Sequence, residues 1–104
     1  MQSLEVENGV LKVKEDLYWD IEDEFQKAVN ALLDSPANEL TIDLSRATFI
    51  FSPFMSHLVR FCLTAKERGK VASIVVNRRL EEVFRSSGLM DELPIRVVAH
   101  NNAG

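Results

Sequence analysis

LTIDLSRATFIFSPFMSHLVRFCLTAKERGKVASIVV, residues 40–76, holds two short apolar runs with a helical pattern between them. Leu40 to Leu44 reads as a short strand closed by Asp43-Leu44-Ser45, and Val71 to Val76 as a continuous apolar strand, expected to be central and buried on both faces. Between them, Phe54, Leu58, Phe61, Cys62 and Ala65 recur at helical spacing. Pro53 suits the first helical position, where a missing amide costs nothing, and Ser52 stands where an N-cap belongs. Gly69 marks the helix stop. Thr48 to Phe51 is an apolar stretch read as a loop or a brief extended segment. A strand, a helix and a strand in this order imply a parallel crossover.

Working toward the N-terminus, Ser3 to Glu7 and Val10 to Lys14 alternate apolar and polar residues around Asn8-Gly9, a favoured two-residue hairpin turn. Glu15 to Trp19 form a connection. Asp20 is expected to cap the next helix, with Asp23 at a loose capping-box spacing, and Glu22, Asp23 and Glu24 favour the positive end of the helix dipole. Ile21, Phe25, Val29, Leu32 and Leu33 follow helical spacing until Ser35-Pro36 ends it. Toward the C-terminus, Asn77 is placed to cap a short helix carrying Leu80, Val83 and Phe84, with Gly88 after it. Met90 to Leu93 adds a turn, and Ile95 to Val98 a last edge strand. The fold class is therefore α/β: a mixed four- to five-stranded sheet with an N-terminal β-hairpin and helices mainly on one face. Residues 1–99 form one domain, and residues 100–104 have the composition of a flexible tail.

Composition narrows the function. The chain has 104 residues, 12 basic against 16 acidic side chains and a net charge of −4. That balance argues against nucleic acid, whose phosphates need a concentrated positive field. The single cysteine, Cys62, excludes an internal disulfide and fits a reducing compartment. The N-terminus lacks the pattern of a signal peptide, and no apolar run approaches the ~18 residues of a membrane span, so the chain reads as cytoplasmic without membrane insertion.

No catalytic or cofactor constellation emerges. The four glycines fit turns and helix ends rather than a phosphate loop. The candidate metal ligands His57, Cys62 and His100 have no metal-site spacing, and His57 and Cys62, five apart, do not share a helix face. Ser52 or Ser56 with His57 and Asp43 lacks a nucleophile elbow, and Ser56 and His57 point in different directions. Neither a metal, a cofactor nor an enzymatic activity is expected. Lys66, Arg68, Lys70, Arg78 and Arg79 read as solvated surface, although Arg78-Arg79 suits a phosphate or an acidic partner. The unusual feature is Phe49-Ile50-Phe51-Ser52-Pro53-Phe54-Met55. A loop and one helical turn cannot easily bury all of these large side chains, so part of the cluster is expected at the surface as an interface, the alternative being full burial. Tyr18 and Trp19 are similar anchors.

Thr41-Ile-Asp-Leu-Ser45, Phe49-Ile-Phe-Ser52, Ala65-Lys-Glu-Arg-Gly69, the strand Val71 to Asn77 and Leu80-Glu-Glu-Val-Phe-Arg-Ser-Ser-Gly-Leu89 together resemble, in order and spacing, the STAS domain shared by sulfate transporters and bacterial anti-sigma factor antagonists. The resemblance implies a non-catalytic docking module whose loop and helix start at 51–57 contact a regulatory partner. It implies an interface of Tyr18, Trp19, Phe51, Ser52, Pro53, Phe54, Met55 and His57, with an anti-sigma kinase-like factor or a signalling scaffold as the partner. The alternative it implies is a cytoplasmic subunit of a membrane transport complex, bound to a transporter ATPase. A homodimer is also compatible with an apolar loop. The family loop reads Asp-Ser-Ser/Thr-Gly, but Phe51-Ser52-Pro53-Phe54 stands here. Pro53 then occupies the phosphoacceptor position, Phe51 the acidic one and Phe54 the glycine, while a further family Asp falls on Tyr18. The usual phospho-switch is therefore not expected; Ser52 and Ser56 are the nearby hydroxyls open to phosphorylation.

Overall fold

The computed structural model describes residues 4–98; Ser3, His100 and the rest of 99–104 lie outside the described residues. Strands β1 (Leu4–Glu7) and β2 (Val10–Val13) form the expected hairpin. Asn8 and Gly9 both take positive φ, 54° and 79°, which is the geometry that Asn-Gly accepts at low cost. Helix α1 (Glu22–Leu33), strand β3 (Glu39–Asp43), helix α2 (Pro53–Glu67), strand β4 (Val71–Val76), helix α3 (Arg78–Ser86) and strand β5 (Ile95–Val97) follow. The five strands lie in the order β1-β2-β3-β4-β5, antiparallel at β1–β2 and parallel elsewhere.

Because β2, β3, β4 and β5 are also consecutive in sequence, every crossover steps the same way along the sheet. Crossovers of one hand then place all three helices on one face. Leu11, Val13, Leu40, Ile42, Ile74 and Val76 alternate onto that face and join Phe25, Phe54, Phe61, Leu80 and Phe84 in one core cluster. The other face carries Glu5, Lys12, Glu39, Thr41, Asp43 and Ser73, with the Thr41 and Ser73 hydroxyls 3.0 Å apart. β4 is an interior strand, flanked by β3 and β5, but the expected burial of Val71 to Val76 holds only in part: Val71 is 62% exposed. Only its last three residues, Ile74 to Val76, are buried.

Two helix starts differ from expectation. The chain winds into a 3-10 turn at Trp19–Ile21 before α1, so Asp20 lies inside that turn and no side chain caps α1. Glu22, Asp23 and Glu24 do occupy its first turn. Ser52 precedes α2 but already has helical torsions (φ −49°, ψ −42°), whereas a side-chain cap needs extended ones. The amides of Phe54 and Met55 bond instead to the carbonyls of Phe51 and Ser52, and Pro53 has no amide to satisfy.

Asn77 is the cap that holds. Its Oδ1 accepts from the Leu80 amide at 2.9 Å, while its Nδ2 donates to the carbonyls of Ser45 at 2.9 Å and Ala47 at 2.7 Å. It is a buried polar side chain, and it fastens the loop after β3 to the start of α3. Asn77→Ala is expected to cost roughly 2–3 kcal/mol, from one lost cap and two carbonyls left without their donor. Urea unfolding of the variant checks this, with a shifted midpoint and an unchanged slope.

Candidate docking surface

The connection after β2 and the loop after β3 are zipped together. Leu17 and Ile50 form an isolated parallel bridge; the Leu17 amide donates to Phe49 O at 3.0 Å and the Phe51 amide to Leu17 O at 2.8 Å. Both bridge residues point inward and are buried. In extended chain the neighbours must then point out. Tyr18, Phe49 and Phe51 do so, with 49%, 42% and 37% of their surface exposed, and Trp19 beside them reaches 70%. Tyr18 and Phe49 stack with ring centroids 4.9 Å apart and planes 23° from parallel. The result is an aromatic ledge at the carboxyl ends of β2 and β3.

Asp16 holds the ledge from below. Its carboxylate accepts from the Thr48 amide at 2.6 Å, the Thr48 hydroxyl at 3.1 Å and the Phe49 amide at 3.2 Å. By resemblance the family Asp falls on Tyr18, but the acidic residue that meets this loop is Asp16, two positions earlier. Asp16→Ala is expected to leave the global fold in place and free the loop, raising hydrogen exchange at the Thr48 and Phe49 amides at least tenfold, as the loss of charge-assisted bonds worth about 1.5–3 kcal/mol requires. Amide exchange followed by NMR checks it.

The residues expected at the interface separate into three groups. Tyr18, Trp19, Phe51, Ser52, Pro53 and the Ser56 hydroxyl group are exposed, and Met55 is half-buried. Phe54 is not at the surface: it is 0% exposed and packs edge-on against Phe25 at 5.1 Å. One helical turn cannot present Phe54 and Met55 on the same side, and the inward stripe of α2 begins at Phe54. His57 is engaged within the fold: its Nε2 lies 2.7 Å from Glu22 Oε2, and its ring packs edge-on against Phe54, linking α2 to α1.

Three features escaped the sequence reading. Asp16 positions the ledge, to which Phe49 of the apolar cluster belongs. The outer face of α2 carries a second apolar strip, Met55, Val59 and Leu63, which with Leu89 lines a shallow groove; Leu63 is 58% exposed. Its i, i+4, i+8 spacing was readable as a second stripe beside the core stripe. Two of the cations read as solvated surface have internal partners: Arg68 donates to Leu33 O at 3.0 Å and Lys70 to Ala37 O at 2.9 Å, satisfying carbonyls at and after the end of α1.

Burial pushes the Cys62 thiol up to about 11, which keeps it protonated at neutral pH. Among the described residues no group of three His, Cys, Asp or Glu side chains is placed to hold a metal ion, and no helix is long and apolar enough to cross a membrane.

No curated protein matches the chain in sequence. Among solved structures, an anti-sigma factor antagonist from Mycobacterium paratuberculosis superposes with a TM-score of 0.68 at 17% identity, covering 95% of this chain and 84% of that one. At such identity the likeness is one of fold: a mixed five-stranded sheet with three helices. A family profile described as "Mlab, STAS domain" matches residues 1–98. With that match over nearly the whole length, the chain belongs to the STAS domain family.

Proposed function

We propose that this chain is a non-catalytic cytoplasmic docking module that binds a regulatory protein, of the anti-sigma kinase-like or signalling-scaffold kind, through the ledge of Tyr18, Trp19, Phe49 and Phe51 and the adjoining start of α2. One observation carries the reading: four aromatic side chains stand exposed together on a backbone that hydrogen bonds hold rigid. Aromatic side chains lose little conformational freedom on binding and dominate the energetics of interfaces. Rigid presentation lowers the ordering cost further. Pro53 has no hydroxyl, so a charge switch at that position is not part of the reading. Ser52 and Ser56 are exposed beside the ledge, and a phosphate on either would set nearly two negative charges against an apolar contact.

Photo-cross-linking tests it. A benzophenone side chain at Trp19 or Phe51 is expected to trap one protein in native cells, and the same group at Glu82, an exposed residue of α3, is not. A transporter ATPase trapped at Trp19 would keep the docking role and move the chain into a transport complex. Trapping from Glu82 alone would remove the ledge as the interface.

A further inference from the structure

The carboxyl ends of β2 and β3 also shape a second feature, apart from the ledge. A depression of about 370 Å³ is lined by Lys12, Val13, Lys14, Asp43, Ser45 and Arg46. Lys12, Lys14 and Asp43 stand on the helix-free face of the sheet, and Lys12 is the register partner of Asp43. Three cations therefore meet two carboxylates, Asp43 and the Glu5 that faces Lys12 from β1, in a chain whose net charge is −4. Asp43 spends one oxygen on the Ser45 amide at 2.9 Å. Lys14 pairs with Glu5 at 3.0 Å, an exposed contact that competes weakly with a stronger anion. Lys12 and Arg46 have no ion pair among the described residues. The bonds of Asn77 to Ser45 O and Ala47 O hold the backbone on both sides of Arg46, so the guanidinium projects from a fixed turn. Arg78 and Arg79 follow Asn77 directly and bring two more cations to the same end of the sheet.

We infer that this depression binds a phosphate-bearing ligand with at least two negative charges, gripped by Arg46 and Lys12 with Lys14 at the rim. An Arg fork matches the paired oxygens of a phosphate, while a lysine acts as a point charge. The site is independent of the docking ledge.

The probe is inorganic pyrophosphate, added to the ¹⁵N-labelled protein at constant ionic strength. Saturable shifts at the amides of residues 12–14 and 43–46 are expected. Arg46→Ala should weaken the apparent affinity about tenfold or more and Lys12→Ala severalfold, in line with the loss of charge-assisted bonds. Lys66→Ala, at the far end of α2, should change nothing. Shifts that never saturate, that spread equally to Lys66 and Arg68, or that survive Arg46→Ala would overturn the site. A second arm separates the sources of the phosphate. Phosphatidic acid vesicles, whose phosphomonoester headgroups carry up to two negative charges, that broaden the same signals, reversed by pyrophosphate, mark a lipid headgroup. Saturation by pyrophosphate without broadening by vesicles marks a soluble phosphate ligand.

Discussion

Phe54→Ala is expected to lower the free energy of unfolding by about 3–5 kcal/mol, the usual cost of deleting a fully buried phenyl ring. Phe54 has no exposed surface, contacts Phe25 edge-on and lies next to the His57 ring, so its removal opens a cavity where α1 meets α2. A domain of this size holds only about 5–15 kcal/mol in total. At roughly 4–8 °C per kcal/mol, the melting temperature should fall by at least about 12 °C. Phe54→Asp should not fold, because a carboxylate without a partner would enter the core. Calorimetry or urea unfolding decides the matter, and a loss under about 1 kcal/mol in Phe54→Ala would show that the ring is not a keystone of the core. The consequence reaches function. The sequence places Phe54 at the interface, and a surface anchor replaced by Asp would lose binding and keep the fold. With the ring in the core, lost binding in that variant reports unfolding.

What was readable followed from local rules with one dominant answer. Asn8-Gly9 fixes a hairpin because few other conformations suit it, and Asn77 caps α3 because its side chain has an extended backbone to reach from. The five strands, three helices and the parallel crossovers followed from periodicity. The side chains of residues 49–55 were harder, because an apolar loop offers no period. The bridge Leu17–Ile50 supplies it: Ile50 turns in, Phe49 and Phe51 turn out, and α2 then carries Phe54 inward. That bridge joins positions 33 apart in the chain, and nothing local encodes such a pairing. Asp16 escaped for the same reason, since its partners Thr48 and Phe49 are distant in sequence. Composition nominates Asp20 and Ser52 as caps, but a cap depends on backbone torsions: Asp20 lies inside a 3-10 turn, and Ser52 already has helical torsions.

Trp19→Ala combined with Phe51→Ala is expected to reduce partner affinity at least a hundredfold while changing stability little. The partner is the protein trapped by cross-linking at the ledge, and the measurement is titration calorimetry with it. The two side chains are exposed, Trp19 by 70% and Phe51 by 37%, so their truncation removes little core contact; a change within about 1 kcal/mol is expected for such positions. In a complex, anchors of this kind commonly cost about 2 kcal/mol or more each, and a factor of ten corresponds to about 1.4 kcal/mol. Two such losses exceed a hundredfold even if they overlap in part. Leu63→Ser supplies the comparison, since it lies on the outer strip of α2 three turns from the loop and is similarly exposed. Should Leu63→Ser weaken binding as much as the aromatic pair, the partner lies along the whole helix and the ledge is one end of a longer contact. Should it alone weaken binding, the aromatic residues are bystanders and the docking surface is the strip. Unfolding curves matching the wild type are needed in every case, because the ledge sits directly over Leu17, Ile50 and Phe54. Only a variant that keeps those three buried can separate recognition from folding.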